Sequence, residues 1–183
     1  MQPVGHAPAN QNERTGRTAF VTAAKIFNRK EDSIMSSPAS FKGHPLHPVI
    51  IPLPIGLWIF SLISDLIFNL GYGGPVWNDV AFYTLAGGIA GALIAALPGF
   101  IDLISLTNPK SKSIGIWHML INLLAVALYC VNFWLRMHRP PGENLPIILS
   151  VIGVVFITIS GWLGGELVYV RGVAVRQPPD ERI

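Results

Sequence analysis

Four long apolar stretches, separated by short polar segments, dominate the chain. They run from Ile50 to Leu70, Val80 to Leu103, Ile114 to Leu135 and Pro146 to Val170. At about 1.5 Å rise per residue, a helix over each stretch covers a hydrocarbon core about 30 Å thick. Apolar segments of this length are typical of transmembrane helices. The pattern therefore predicts an all-α integral membrane protein, a four-helix bundle with antiparallel up-down-up-down topology.

Prolines mark the entrance of the first stretch, at positions 45, 48, 52 and 54. Because proline is tolerated in the first turn of a helix but not in its interior, regular helix is predicted to begin near Pro52. A residue that precedes proline is pushed toward extended conformation. The run His44-Pro45-Leu46-His47-Pro48 is therefore predicted to be a stiff, non-helical entry at the membrane surface.

Composition divides the chain into three segments. Residues 1–40 carry Asn, Gln, Ser, Pro and scattered charges, and they predict a cytoplasmic tail, mostly disordered or interfacial. Residues 41–175 form the predicted transmembrane domain, and residues 176–183 a cytoplasmic C-terminal tail. Apolar residues at helical spacing leave open a short helix on the anionic leaflet: Phe20, Ala23, Ala24 and Phe27. Met1 and Met35 are both candidate start residues.

Charge gives the orientation. Of the 13 Lys and Arg residues, all but Arg136 and Arg139 precede the first helix or lie in the second loop or the C-terminal tail. The positive-inside rule then predicts cytoplasmic termini in a bacterial inner membrane. The basic residues follow topology and are not interleaved with aromatic residues, so nucleic-acid binding is not indicated. The one cysteine, Cys130, excludes a disulfide framework or cysteine-based metal cluster within one chain.

The predicted topology gathers ionisable groups near the cytoplasmic ends of the helices. They are His44, His47, Asp102, His118 and Glu166. Asn122 lies one turn after His118 on the same helical face. Each residue also has a purely structural interpretation, such as a pair between Asp102 and Lys110. For Glu166 that interpretation is weaker, because Arg171, five positions on, is not on the same face of an α-helix.

Other polar and small residues predict packing. Asp65, in the opposite half of the first helix, is expected to face the bundle and bond nearby hydroxyls and Asn69. Gly87, Gly88 and Gly91 allow close approach of neighbouring helices in lipid. Four tryptophans lie near predicted helix ends, as interfacial anchors do: Trp77, Trp117, Trp134 and Trp162.

Several motifs give the chain a family resemblance. They are His44-Pro45-Leu46-His47-Pro48, Pro98-Gly99 with Asp102, His118 with Asn122, and Gly161-Trp162-Leu163-Gly164-Gly165-Glu166-Leu167-Val168-Tyr169 with Gly172-Val173. From about Phe41 to Val175 the chain resembles a bacterial family of predicted four-helix membrane proteins, domain of unknown function 2231. Some relatives in that family resemble partners of redox proteins. The resemblance therefore favours a role in electron transfer without establishing an activity.

The first hypothesis is a membrane redox subunit with a b-type haem near the cytoplasmic leaflet. His44 or His47 would ligate the iron together with His118. Gly87, Gly88, Gly91 and the segment Gly161 to Gly165 would give room to the macrocycle. Asp102 or Glu166 would orient a ligand histidine through its second ring nitrogen, as outer partners of metal ligands do.

Two other hypotheses stay open. A non-haem Zn or Fe site would use the imidazoles of His44, His47 and His118, with Asp102 or Glu166 as ligand or base. A small accessory subunit of a larger membrane complex would need no cofactor and would use the polar groups to fix its helix ends. A transporter is less favoured, because the four helices show no detectable internal repeat.

Overall fold

The computed structural model describes residues 16–17, 20–22 and 37–175. Residues 16–17 and 20–22 are helical and exposed. The predictions for the rest of the N-terminal tail, including Ala23, Ala24 and Phe27, and for the C-terminal tail from Arg176 lie outside the described residues.

The entry to the first membrane helix is a small hairpin followed by one helical turn. Strand β1 (Ser40–Phe41) pairs antiparallel with β2 (His44–Pro45), and the two connecting residues, Lys42 and Gly43, have φ of 50° and 81°. Positive φ at both central positions is the geometry that a two-residue hairpin turn requires. Helix α1 (Leu46–Ile50) follows directly, with Pro45 as its N-cap.

Helix α1 corrects one prediction and leaves another intact. Only the first half of the His44-to-Pro48 run is extended, whereas His47 is helical. Proline at position 48 falls in the first turn of α1, where its missing N–H breaks no helical hydrogen bond. The next helix, α2, begins at Pro52 as predicted, after a break at Ile51.

Four long apolar helices pack against one another, which confirms the predicted bundle. They are α2 (Pro52–Asn69), α3 (Val76–Ser105), α4 (Pro109–His138) and α5 (Asn144–Gly165), and α5 continues into a π-helical turn (Glu166–Val170). With α1 and the π-helical turn included, each span is long and apolar enough to cross a membrane. Asn108 caps α4 by accepting hydrogen bonds from the N–H groups of Lys110 and Ser111.

Two stacked aromatic rings fill the middle of the bundle. Trp58 of α2 and Tyr129 of α4 lie with ring centroids 4.1 Å apart and planes inclined by 11°. Gly88 of α3 lies close to Trp58, since a Cβ there would be 2.4 Å from the indole, and a Cβ at Gly153 of α5 would be 2.5 Å from the Tyr129 ring. The two glycines thus make room for the stacked aromatic pair.

A buried ion pair holds α2 to α4 at the end of the bundle opposite His47. Arg136 Nη1 donates to Asp65 Oδ1 at 2.8 Å, Nη2 donates to Oδ2, and both side chains are almost fully buried. Arg136 Nε donates to Asn132 Oδ1, and Asn132 Nδ2 donates to the carbonyl of Pro146 and to Ser150 Oγ. Asn69 Nδ2 donates to the backbone carbonyl of Asp65 and not to its carboxylate.

This ion pair corrects the expectation for Asp65. The partner of its carboxylate is neither a neighbouring hydroxyl nor Asn69 but Arg136, which the charge pattern assigned only to an outer loop. Ser61 and Ser64 instead donate to the carbonyls of Ala81 and Phe60. A buried carboxylate in a membrane needs a charged partner more than a hydroxyl, and a bidentate arginine satisfies both oxygens.

Candidate functional site

The imidazole of His47, which belongs to α1, contacts α3 at one specific position. Its Nδ1 is 2.8 Å from the carbonyl oxygen of Ala95, and because a carbonyl only accepts, Nδ1 carries the proton and donates. Gly99 receives the ring, since a Cβ there would be 2.7 Å from Nδ1.

The imidazole of His118, which belongs to α4, contacts α5 in a matching way. Its Nδ1 donates to the carbonyl of Ser160 at 2.8 Å, with Ser160 Oγ 3.0 Å from the same nitrogen. Gly164 receives the ring, since a Cβ there would be 3.2 Å from Cε1. We call Ala95 with Gly99 the first histidine seat and Ser160 with Gly164 the second. Each seat joins a carbonyl to a glycine four residues later, so both lie on one helical face.

The two seats bring the imidazoles together. The ring centroids of His47 and His118 are 6.1 Å apart, and the ring planes are nearly perpendicular at 88°. Because both Nδ1 atoms donate to carbonyls, both rings carry an unprotonated Nε2 in the neutral form. The Nε2 of His118 accepts from Asn122 Nδ2 at 3.1 Å, and the same amide donates to the His118 carbonyl at 2.9 Å.

A match to one family model covers the whole bundle. The model, described as predicted membrane protein (DUF2231), matches residues 43–177. The chain belongs to the DUF2231 family. The matched region contains both histidine seats and the π-helical turn, so the imidazole pair is part of the family domain. Among curated proteins and among solved structures, no match to the chain is found.

The structure brings together only two of the three predicted imidazole ligands of this DUF2231 protein. His44 is exposed on β2, whereas His47 is half-buried on α1. Within the described residues, no group of three or more His, Cys, Asp or Glu side chains is placed to hold one metal ion. The candidate site is therefore the pair His47 and His118, with Asn122 beside it.

Asp102 contacts the entry hairpin and not a histidine. Its Oδ1 accepts from Ser37 Oγ at 2.6 Å and from the N–H of Ala39 at 3.2 Å. The carbonyl of Ala39 in turn accepts from the N–H of Leu46, the residue before His47. Asp102 thus positions His47 through the backbone, rather than through the ring nitrogen, which donates to Ala95. Ser37 and Ala39, assigned to the tail by composition, belong to this anchor.

Removing the Asp102 carboxylate is expected to loosen the hairpin without unfolding the bundle. In Asp102→Ala, the N–H of Ala39 loses its acceptor, so amide hydrogen exchange between Ser37 and Leu46 should accelerate by about tenfold or more, since a hydrogen bond to a charged group contributes about 1.5–3 kcal/mol. Mass spectrometry of the corresponding peptide measures this. Ser105→Ala is the matched control, because Ser105 Oγ donates only to the Asp102 backbone carbonyl. Equal exchange in both variants would contradict the anchor.

Glu166 forms the ion pair that the sequence argued against. Glu166 Oε1 lies 3.3 Å from Arg171 Nη2, and the N–H of Arg171 donates to the carbonyl of Glu166 at 3.1 Å. The expectation is wrong because residues 166–170 form a π-helical turn, whose i→i+5 hydrogen bonds bring residues five apart to one face. Glu166 therefore stabilises the end of α5, and neither it nor Asp102 holds the second nitrogen of a histidine.

The acceptor atoms that orient the two histidines were not predicted from the sequence. Both acceptors are backbone carbonyls, which every residue carries, and so residue type gives no sign of them. The glycines did leave a signal, because Ala95-x-x-x-Gly99 and Ser160-x-x-x-Gly164 are small residues spaced by four. That spacing predicts a close approach but does not tell that an imidazole makes it.

Proposed function

We propose that this DUF2231 protein is a membrane electron-transfer subunit whose centre is one redox-active metal ion, held between Nε2 of His47 and Nε2 of His118. The observation that carries the proposal is that both Nδ1 atoms donate to backbone carbonyls while the two rings meet. Histidines that ligate metals almost always donate the other ring N–H to a carbonyl, a carboxylate or water. This hydrogen bond fixes the tautomer in which Nε2 is unprotonated, and it fixes the orientation of the ring.

The separation of the rings supports a shared ion. An imidazole nitrogen binds a metal ion at about 2.0–2.1 Å, so two rings on one ion have centroids about 5–6 Å apart. The centroids of His47 and His118 are 6.1 Å apart, which is close to that range. Gly99 and Gly164 let the two imidazoles lie close against α3 and α5, since a Cβ at either position would contact the ring.

The ligand set favours copper, with iron as the second choice. The pair supplies only neutral imidazole, since Asp102 and Glu166 are engaged elsewhere. Imidazole suits Zn, Cu, Fe and Ni, and divalent copper binds nitrogen most tightly in the first-row series. Copper and iron change oxidation state, whereas zinc does not. A redox role therefore requires one of the first two.

Most of the glycine positions predicted to give room to a b-type haem contact side chains. Cβ atoms at Gly87, Gly88 and Gly91 would meet Leu57, Trp58 and Pro54. In the segment Gly161 to Gly165, Gly164 contacts the His118 ring, whereas a Cβ at Gly161 would have nothing within 4 Å. The packing around the pair suits a single ion better than a macrocycle.

Metal analysis of purified full-length protein, followed by titration with Cu(II), tests the proposal. Wild-type protein is expected to bind one copper ion per chain. His47→Ala and His118→Ala should each weaken binding by more than the roughly 10- to 100-fold that loss of an outer partner costs, because each removes a ligand. His44→Ala is the matched control and should bind like wild type, since His44 is exposed and apart from the pair.

Three outcomes would overturn the proposal. One is wild-type protein that takes up no copper or iron from replete cells or in titration. Another is copper binding that His44→Ala abolishes and His118→Ala leaves intact. The third is a Soret absorption band that depends on His118, which would restore haem in place of the ion.

A structural subunit without a cofactor is the second candidate, and the amide of Asn122 favours it. Because Asn122 Nδ2 donates to Nε2, both nitrogens of His118 have partners without a metal. Asn122→Leu separates the candidates. If a metal replaces the amide, the variant should bind copper at least as tightly as wild type, whereas a purely structural histidine network predicts lower stability and no copper binding in either protein.

A further inference from the structure

Three pairs of residues meet across the bundle at one fixed separation in sequence. His47 meets His118, Trp58 meets Tyr129, and Asp65 meets Arg136, each pair 71 residues apart. His47 lies on α1, just before α2, whereas Trp58 and Asp65 lie in the middle and near the end of α2. Their partners follow in the same order along α4. When a unit is repeated about a twofold axis, residues on the axis contact their own equivalents. Three such contacts define an axis that runs between α2 and α4.

The contacts within each helix pair repeat in the same register. In the first pair, α3 provides the partners of His47, Trp58 and Ser61; in the second pair, α5 provides those of their equivalents His118, Tyr129 and Asn132. The partners correspond at a constant shift along the chain: Ala81 and Pro146, Gly88 and Gly153, Ala95 and Ser160, Gly99 and Gly164.

Burial follows the same register. The buried positions of α2 and of α4 that correspond are Pro54 and Ala125, Trp58 and Tyr129, Ser61 and Asn132, Ser64 and Leu135. In α3 and α5 they are Ala81 and Pro146, Leu85 and Ser150, Gly88 and Gly153, Ala92 and Ile157, Ala95 and Ser160. The sequence shows no detectable internal repeat, whereas the contacts and the burial pattern indicate one. Few corresponding residues are identical, so the repeat is visible in the contacts.

We infer that the bundle is a fused pair of one two-helix unit, and that the axial face of each unit accepts only the opposite unit as its partner. The axial face of the first unit carries Trp58 and Asp65, and that of the second carries Tyr129 and Arg136. Ser61 and Asn132 lie between them on the same helices, and each bonds within its own unit. This inference goes beyond the proposed metal site, which occupies only the histidine end of the axis.

The charges on the axis set the specificity. Two first units would bring two Asp65 carboxylates together, and two second units would bring two Arg136 guanidinium groups together. Like charges in a buried membrane site repel strongly and lack compensation. Only the mixed pair neutralises both, so the interface selects its partner by an unfavourable contact as well as by a favourable one.

Exchange of the axial residues, with Ser61 and Asn132 between them, tests this inference in the full-length chain. Variant one exchanges a single face (Trp58→Tyr, Ser61→Asn, Asp65→Arg). Variant two adds the reciprocal changes (Tyr129→Trp, Asn132→Ser, Arg136→Asp). Melting in detergent should fall strongly in variant one, and variant two should regain more than half of the loss. Full recovery is not expected, because Ser150, which accepts from Asn132, corresponds to Leu85.

A second pair of variants guards against the failure of variant one to fold. Asp65→Arg/Arg136→Asp exchanges only the charges, and Asp65→Arg/Arg139→Asp has the same composition but places aspartate at a position that is not equivalent. The first should melt clearly above the second. Equal melting of these two, or a complete exchange no better than a single-face exchange, would overturn the inference. Copper binding is not the readout here, so this result and that of the metal proposal are independent.

Discussion

Replacing Arg136 with methionine is expected to lower the free energy of unfolding by about 3–5 kcal/mol, the largest effect of any single substitution that we predict. Asp65 would then keep a carboxylate that is almost fully buried and has lost both guanidinium contacts. Asn132 would also lose the donor to its Oδ1. Methionine retains much of the volume of the arginine stem, so the loss reflects the unpaired charge rather than a cavity.

The double variant Asp65→Leu/Arg136→Met is the informative control. Removing both charges leaves no ion without a partner, and replacement of a buried pair by apolar residues is often neutral or stabilising. Unfolding in mixed micelles with increasing dodecyl sulfate, followed by circular dichroism, gives the free energies. If the double variant is as unstable as Arg136→Met, loss of packing and not the uncompensated charge explains the effect.

The hydrophobic pattern predicted the number and the approximate extent of the membrane helices. For α3 and α4 it placed the helix ends a few residues inside the observed ones, as at Val80 against Val76 and Leu103 against Ser105. Polar residues at those ends still form helix because backbone hydrogen bonds extend the helix beyond the apolar core. Proline placed the start of α2 correctly, since Pro52 lies in its first turn.

Sequence patterns did not indicate contacts between residues that lie far apart in the chain. Asp65 and Arg136 were each explained by their own surroundings, as a local hydrogen-bonding group and as a loop charge. Their contact joins two residues that are 71 positions apart in the chain, and no local pattern encodes it. The prediction against a pair between Glu166 and Arg171 was wrong for a different reason. It assumed α-helical spacing, whereas the chain forms a wider π-helical turn there.

The candidate site was partly predictable because topology alone gathers residues at one end of a bundle. It brought His47 and His118 together correctly but could not tell which of the five ionisable groups share contacts. Which groups make contact depends on where α3 and α5 lack side chains that would block an imidazole. Gly99 and Gly164 provide those positions. The glycines in the middle of α3 were interpreted as room for a cofactor, whereas side chains from α2 fill that room.

Gly88→Ala is expected to destabilise the bundle by about 1–3 kcal/mol, the usual effect of overpacking a close-packed core. The new Cβ would lie 2.4 Å from Trp58 Cδ1, and the Tyr129 ring limits the movement of the indole. The indole is stacked on Tyr129 with centroids 4.1 Å apart, and Tyr129 is held in turn by Gly153. Such a rigid stack transmits the clash instead of absorbing it.

Gly161→Ala provides the matched control, because it introduces the same methyl group into a membrane helix where nothing lies within 4 Å of the new Cβ. Alanine is favoured over glycine inside a helix by roughly 0.5–1 kcal/mol, so this variant should be as stable as wild type or more so. Gly87→Ala should fall between the two, since its Cβ would be 3.3 Å from a flexible leucine methyl group of Leu57. Unfolding in mixed micelles should therefore rank the variants as Gly161→Ala, Gly87→Ala and Gly88→Ala in decreasing stability. A Gly88→Ala protein as stable as Gly161→Ala would show that the aromatic stack yields, and that the glycine is not what holds Trp58 against Tyr129.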